Sequence, residues 1–368
     1  MNYTEAERQF KVCIACRYCE GYCATFPAMD RREQFGEEAV DYLANLCHDC
    51  RACYYACPYV PPHEFSINIP KILAEARLHT YRKYAWPRLM AIFFNKGRTF
   101  SLTLVNMVLV IIVAIAVGSP QRILQPHLEQ GSFYSIFTYN SILTVGLSVG
   151  MFIVLSWMIA CDRFWTAVHG SPFRFRLSNL AYAAKDAFSH RWFKGGGSDG
   201  HPGCYYPGQQ GSYIRLVFHS MTFFGFLLAV ISTTIAAFNQ DILGLLPPYP
   251  ILSLAVLFGI IGGALMTVGA SALLYLKFKS DRTPSFAEMI EHDYAFLTMI
   301  NLVSITGILL LILRNTTAMG ILFIVHMGFV LSLFLLIPYG KFIHLLYRFA
   351  ALTQNRIEER RTTSGQSH

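Results

Sequence analysis

Cys13-Ile-Ala-Cys16-Arg-Tyr-Cys19-Glu-Gly-Tyr-Cys23 and Cys47-His-Asp-Cys50-Arg-Ala-Cys53-Tyr-Tyr-Ala-Cys57-Pro58 hold eight of the ten cysteines of this chain. Both segments are spaced C-x2-C-x2-C-x3-C, and a proline follows the second. Three closely spaced thiolates can wrap one face of an iron–sulfur cubane, while the fourth, beyond the longer gap, reaches the other cluster. The spacing therefore predicts two [4Fe-4S] clusters with crossed ligation. Cys13, Cys16, Cys19 and Cys57 take one; Cys47, Cys50, Cys53 and Cys23 take the other. Structural zinc fits less well, because its sites pair two short hooks across a spacer and a third thiol would be stranded. Disulfides would require an oxidising compartment. Cys161 and Cys204 stand alone and read as plain thiols. His48, inside the second run, reads as a residue that tunes the cluster potential rather than an iron ligand.

Working outward, residues 1–85 form a polar module. Phe35, Ala39, Leu43 and Leu46, between the two runs, recur at helical spacing, as do Ile69, Ile72, Leu73, Ala76 and Tyr84 after the second. Alternating strands are not evident, so the expected module is α-helical and ferredoxin-like. The start of the chain lacks a basic region followed by an apolar one, so no secretory signal is expected.

The remainder is a different material. The 368 residues are 54% hydrophobic and only 14% charged, with a mean hydropathy of +0.39. Six apolar stretches, 102–117, 136–160, 213–238, 251–276, 294–313 and 318–347, approach the ~20 residues that span a bilayer as helix. The first is the shortest, and the last is long enough to tilt or project. The net charge of +8 does not indicate nucleic acid, because Lys and Arg gather beside alternate spans. The flank at 77–98, the second connection, the fourth connection and the tail carry them, while the odd-numbered connections hold only Arg122 and Arg314. That bias places both termini, and the cysteine module, in the cytoplasm, with a multi-pass chain in the cell inner membrane. The expected fold class is all-α: a two-cluster domain at 1–85, a six-helix haem-b domain at 86–350 with a long cytoplasmic loop at 161–212, and a polar basic tail at 351–368. Within that loop, residues 194–203 are rich in glycine and read as a mobile turn without a phosphate-binding pattern. Gly259, Gly262, Gly263 and Gly269 read as close-packing positions in the fourth span.

Ionisable residues inside spans are functional candidates by default. His219 opens the third span, and His326 and His344 lie eighteen residues apart in the sixth. Five helical turns would put those two on one side, about 27 Å apart. Antiparallel packing would bring His219 and His344 to similar depth, as the two axial ligands of a b-type haem. His326 has no matching histidine in the third span, so one haem is expected and a second is the lesser case. Contact with a quinone, or a helix-to-helix hydrogen bond, are its alternatives. His292 is a weaker substitute ligand, and His169, His190 and His201 carry no ligand pattern.

A cluster module followed by a multi-span haem bundle resembles the tricarballylate-utilisation (citrate-utilisation) protein B family. The resemblance rests on Cys13 through Cys23, on Cys47 through Pro58 and on the six spans. It implies a separate FAD-dependent dehydrogenase, acting on tricarballylate to give cis-aconitate, whose reduced flavin is reoxidised through this chain into the quinone pool. The haem part is similar to the haem-b subunit of respiratory nitrate reductase, whose last span bears two histidines at the spacing of His326 and His344. The chain is then an oxidoreductase subunit with no catalytic side chain of its own, the redox chemistry belonging to cofactors. Reverse flow, from quinol to a biosynthetic flavoprotein, uses the same parts. A tricarboxylate transporter is a third reading, although internal repeats and broken spans are not evident.

Overall fold

A computed structural model of the chain describes residues 1–93, 98–117, 120–171, 177–193 and 203–363. The glycine-rich stretch at 194–202, with His201, lies outside the described residues.

The N-terminal lobe is helical. Helix α1 (Tyr3–Cys16) starts where the Asn2 side chain accepts from Glu5 N, and ends where Arg17 turns left-handed at φ 57°. Helix α2 (Thr25–Asp30) is short; α3 (Glu37–Leu46) carries two glutamates in its first turn, where the helix dipole favours them. After the single turn α4 (Ala52–Tyr55), helix α5 (Ile69–Lys83) is capped by Asn68 and places Arg82 and Lys83 at its C-terminal end. A short α6 (Arg88–Phe93) leads into the apolar half.

That half contains α7 (Arg98–Val117), a short α8 (Pro120–Ile123), α9 (Tyr139–His169), α10 (Leu177–Phe188), α11 (Ile214–Asp241), α12 (Leu254–Lys279), α13 (Ala287–Ile312) and α14 (Met319–Leu336). Five of these, α9 and α11 to α14, are long and apolar enough to cross a membrane. The first expected span is a shorter apolar segment, Leu102–Ala116 within α7. It nevertheless runs along α14, where Asn106 Nδ2 donates to Gly328 O at 3.0 Å and to Ser332 Oγ at 2.7 Å. Val145, Leu147, Met151, Val154 and Met158 of α9 stay exposed, as side chains facing lipid would. Helices α11 and α12 meet backbone to backbone. A Cβ on Gly262 would lie 2.7 Å from Gly225 O, and one on Gly269 would lie 2.8 Å from Phe218 O.

One expected span is corrected. Residues 318–347 are not one helix. Helix α14 stops at Leu336, a 3-10 turn occupies Lys341–Ile343, and a new helix, α15 (His344–Thr363), begins. Pro338 lacks the N–H a continuing helix needs and its ring crowds the preceding turn. His326 and His344 therefore do not share a helix face. Nor is 351–363 a free polar tail, because α15 packs on α3, α9 and α10 and buries Leu352, Thr353, Gln354 and Asn355. Phe10, Leu43 and Leu73 of the lobe join Phe164 and Trp165 of α9 and Tyr347 of α15 in one core. Phe164 and Tyr347 stack at 4.9 Å.

The long second connection returns to the lobe. Its strands β1 (Cys204–Tyr205) and β2 (Gly211–Ser212) pair antiparallel, and Tyr205 N donates to Cys50 O at 2.8 Å. Gly203 has φ 66°, and a Cβ there would overlap Ser212 O, so the turn requires glycine.

Candidate redox site

The two cysteine runs coil alike. In each, an arginine follows the second cysteine and adopts a left-handed conformation, Arg17 at φ 57° and Arg51 at φ 65°. Such residues bend the backbone tightly enough to turn successive thiols inward. Cys13, Cys16, Cys19 and Cys57 line one cleft, with Val12, Phe26, Tyr59 and Ile67 as apolar walls and Cys53 on its inner side. Cys23, which belongs by sequence to the first run, lies within electrostatic reach of Cys47, Cys50 and Cys53. Cys19 sits between the two groups.

Backbone amides point at the sulfurs. Asp49 N donates to Cys47 Sγ and Tyr59 N to Cys57 Sγ, each at 3.4 Å. Burial, followed by the neighbouring thiols, pushes Cys13 and Cys19 up to about 12, and burial lifts Cys23 to about 11. Thiols so placed lose their protons to a bound metal rather than to water. Among the described residues, no three His, Cys, Asp or Glu side chains converge on a single ion. A cubane needs no such convergence, because each thiolate binds a different iron, and an all-thiolate donor set in an apolar cleft is what it takes.

The second run is surrounded by cations. Cys47 O accepts from Arg77 Nη2 at 2.5 Å and from Arg348 Nη2 at 2.6 Å. Arg215 Nη1 donates to Asp49 O at 2.6 Å and to His48 O at 3.2 Å. The guanidinium of Arg51 lies 4.0 Å over the Tyr206 ring, and Tyr206 Oη donates to Asp49 Oδ2 at 2.9 Å. Burial and the adjacent Arg77 lower Arg348 only to about 10, so it stays charged at neutral pH. The buried thiol of Cys204 lies beside Arg215, at 3.8 Å, and near Cys50.

Below this loop lies a seam of imidazoles. His219 Nδ1 and His190 Nε2 share a hydrogen bond at 3.1 Å, Phe193 stacks on His219 at 5.0 Å, and His48 meets Phe193 edge-on at 5.2 Å. His344 lies within electrostatic reach of His219. Its Nδ1–H donates to Lys341 O at 2.5 Å, which leaves Nε2 as the basic nitrogen, the state of a metal-ligating histidine. Burial, then Lys341 and Arg348, lower His344 to about 3. His48 is held well below its usual range by burial and by Arg348, Arg77 and Arg215, and its buried Nδ1 has no hydrogen-bond partner among the described residues. The imidazoles of His219 and His344 suit a haem chemically. His326 is placed elsewhere, bonded to Thr306 Oγ1 at 3.0 Å across α13 and α14. His292 lines a separate cleft with Lys341.

Sequence reasoning missed His190, Arg77, Arg215 and Arg348. For His190 a signal existed: Phe188, Trp192 and Phe193 make its stretch of the loop too aromatic for open solvent. Arg77 and Arg348 read only as topology signals, and Arg215 drew no reading.

A family model described as citrate utilization protein B matches residues 95–365, and one described as the citrate utilization protein B Fer4-like domain matches residues 6–83. A citrate utilization protein B from Escherichia coli is 42% identical over 358 residues, which cover 97% of this chain and 93% of that one. No solved structure matches.

Proposed function

Because the chain belongs to the citrate utilization protein B family, we propose that it is the membrane electron-transfer partner of an FAD-dependent dehydrogenase, of the type that converts tricarballylate to cis-aconitate. Its Fer4-like domain and five apolar helices already indicate an iron–sulfur electron-transfer role at a membrane. In the finer reading, electrons leave the partner's reduced flavin at the cytoplasmic face and enter the quinone pool of the inner membrane. Two [4Fe-4S] clusters and one haem b, when bound, supply the one-electron carriers that divide a two-electron oxidation into single steps.

The chain's own residues hold and tune these groups. Cys13, Cys16, Cys19 and Cys57 would hold the outer cluster, and Cys47, Cys50, Cys53 and Cys23 the inner one. His219 and His344 would hold the haem. The observation that carries the reading is adjacency: the loop of the second thiol run rests on Arg215, only four residues before His219 on α11, and on Arg348, four after His344 on α15. The cations around that loop favour reduction of the inner cluster, since added negative charge is stabilised beside positive charge. This supports flow from the partner towards the membrane.

The test is the Cys13→Ser/Cys16→Ser double variant in purified membranes. It should lose one cluster's EPR signal and flavin-to-quinone transfer together, while His344→Leu should lose b-haem absorbance and keep both cluster signals. Full transfer activity in the cysteine variant would overturn the relay.

A further inference from the structure

Helix α10 ends at Phe188, and the chain then turns sharply. His190 takes a left-handed conformation there, at φ 49°. Residues other than glycine enter that region at a cost, although histidine visits it more often than most. Backbone bonds fix the turn: His190 N donates to Ala187 O at 3.2 Å, and Phe193 N donates to His190 O at 2.9 Å. The imidazole is only 7% exposed. Phe193, Phe223 and Phe224 meet it edge-on, at 5.9, 5.5 and 6.1 Å. A strained backbone that holds a buried polar ring in an apolar cage is costly, and such costs collect at functional sites.

The contact that matters is with His219. His190 Nε2 and His219 Nδ1 lie 3.1 Å apart, with the rings nearly perpendicular at 80°. Phe193 lies against the face of His219 at 5.0 Å, tilted by 30°. The His219 ring is thus held at one edge by a hydrogen bond and on one face by a stacked ring. Two proton placements satisfy the bond. If His190 donates, His219 carries its own proton on Nε2 and has no lone pair left for a metal. If His219 donates through Nδ1–H, His190 accepts and Nε2 of His219 is free. Only the second placement suits an iron ligand. His344 is arranged alike, its Nδ1–H donating to Lys341 O.

We propose that His190 is a positioning residue for His219: it accepts the proton of Nδ1, fixes the ring and makes Nε2 a stronger ligand for the haem iron. The proposal rests on the haem reading given above. An acceptor at Nδ1 raises the basicity of the ligating nitrogen, which favours ferric over ferrous iron and holds the haem midpoint potential down. The long second connection then has two tasks. It bonds to Cys50 O through Tyr205 N, and it orients a haem ligand through His190.

The experiment is a redox titration of the purified full-length protein in detergent, followed by b-haem absorbance, with cluster EPR amplitudes as the control for folding. His190→Phe fills the cage without an acceptor. His190→Gln places an amide oxygen about where Nε2 stood. Both should keep haem and cluster signals. His190→Phe should move the ferric–ferrous balance about tenfold towards ferrous, a rise of about 59 mV in midpoint, and shift the g values of the low-spin ferric EPR signal. His190→Gln should recover at least half of that change. Should His190→Phe fail to fold, His190→Asn takes its place with the same expected shift, since its amide reaches only as far as Nδ1 and asparagine tolerates the left-handed backbone. An unmoved midpoint in the haem-loaded Phe or Asn variant would overturn the role of His190 alone. A Gln variant shifted as far as the Phe variant would do the same, because packing and not the acceptor would then set the potential. Loss of haem from both variants with the clusters intact would make His190 an iron ligand and overturn the positioning role. Wild-type protein with both cluster signals and no haem would instead overturn the haem reading beneath it.

Discussion

The carbonyl of Cys47 receives two guanidiniums, Arg77 and Arg348, and the next two carbonyls receive a third, Arg215. A unit charge is worth about 4 kcal/mol at 4 Å under an effective dielectric near 20, and about half that at twice the distance. For a one-electron couple, about 1.4 kcal/mol corresponds to roughly 59 mV. Arg348→Gln should therefore lower the midpoint potential of the inner cluster by roughly 50–100 mV, read by EPR-monitored titration. Arg17→Gln, whose partner is the solvent-facing Asp30, should leave both midpoints within experimental scatter. Equal shifts of both clusters in Arg348→Gln would contradict the assignment. At this scale the cysteines were legible because their spacing is covalent and local. The arginines were not, since Arg77, Arg215 and Arg348 come from three distant segments and meet only when the chain folds.

Among the elements, the helices were readable from their periodicity and apolar length, and the glycines of α12 from their small size. Gly262 sits against Gly225 O and Ala229 N, with no room for a side chain. Gly262→Val should force α11 and α12 apart, at about 1–3 kcal/mol for overpacking, and lower the thermal midpoint in detergent by several degrees. Gly146, which faces open space, should tolerate alanine without such a loss. The break between α14 and α15 had a visible sign in Pro338-Tyr339-Gly340, outweighed by the apolar residues on both sides. Reading through it put His326 and His344 on one helix. His326 instead hydrogen-bonds Thr306, an arrangement that periodicity alone does not distinguish from a ligand.

For the whole molecule, an all-helical chain with a Fer4-like N-terminal part and apolar helices after it was legible, because composition changes sharply near residue 85. What joins the halves was not legible, since each joint is a long-range contact. Glu358 pairs with Arg32 at 2.6 Å and with Arg31 at 3.4 Å, and Asn355 Oδ1 accepts from Arg31 at 2.6 Å. Trimming the chain after residue 350 should release the lobe: iron and sulfide content should fall by at least half, and trypsin should cut between residues 77 and 88 where the intact protein resists. Retention of full iron content would show that the lobe stands without the last helix. That helix has a mechanical meaning as well. His344 and Arg348 are four residues apart on it, about 6 Å of rigid rod, one end in the imidazole seam and the other on the cysteine loop. In the proposed relay, the spacing between the cysteine loop and the imidazole seam would be set along one helix rather than by how two lobes dock.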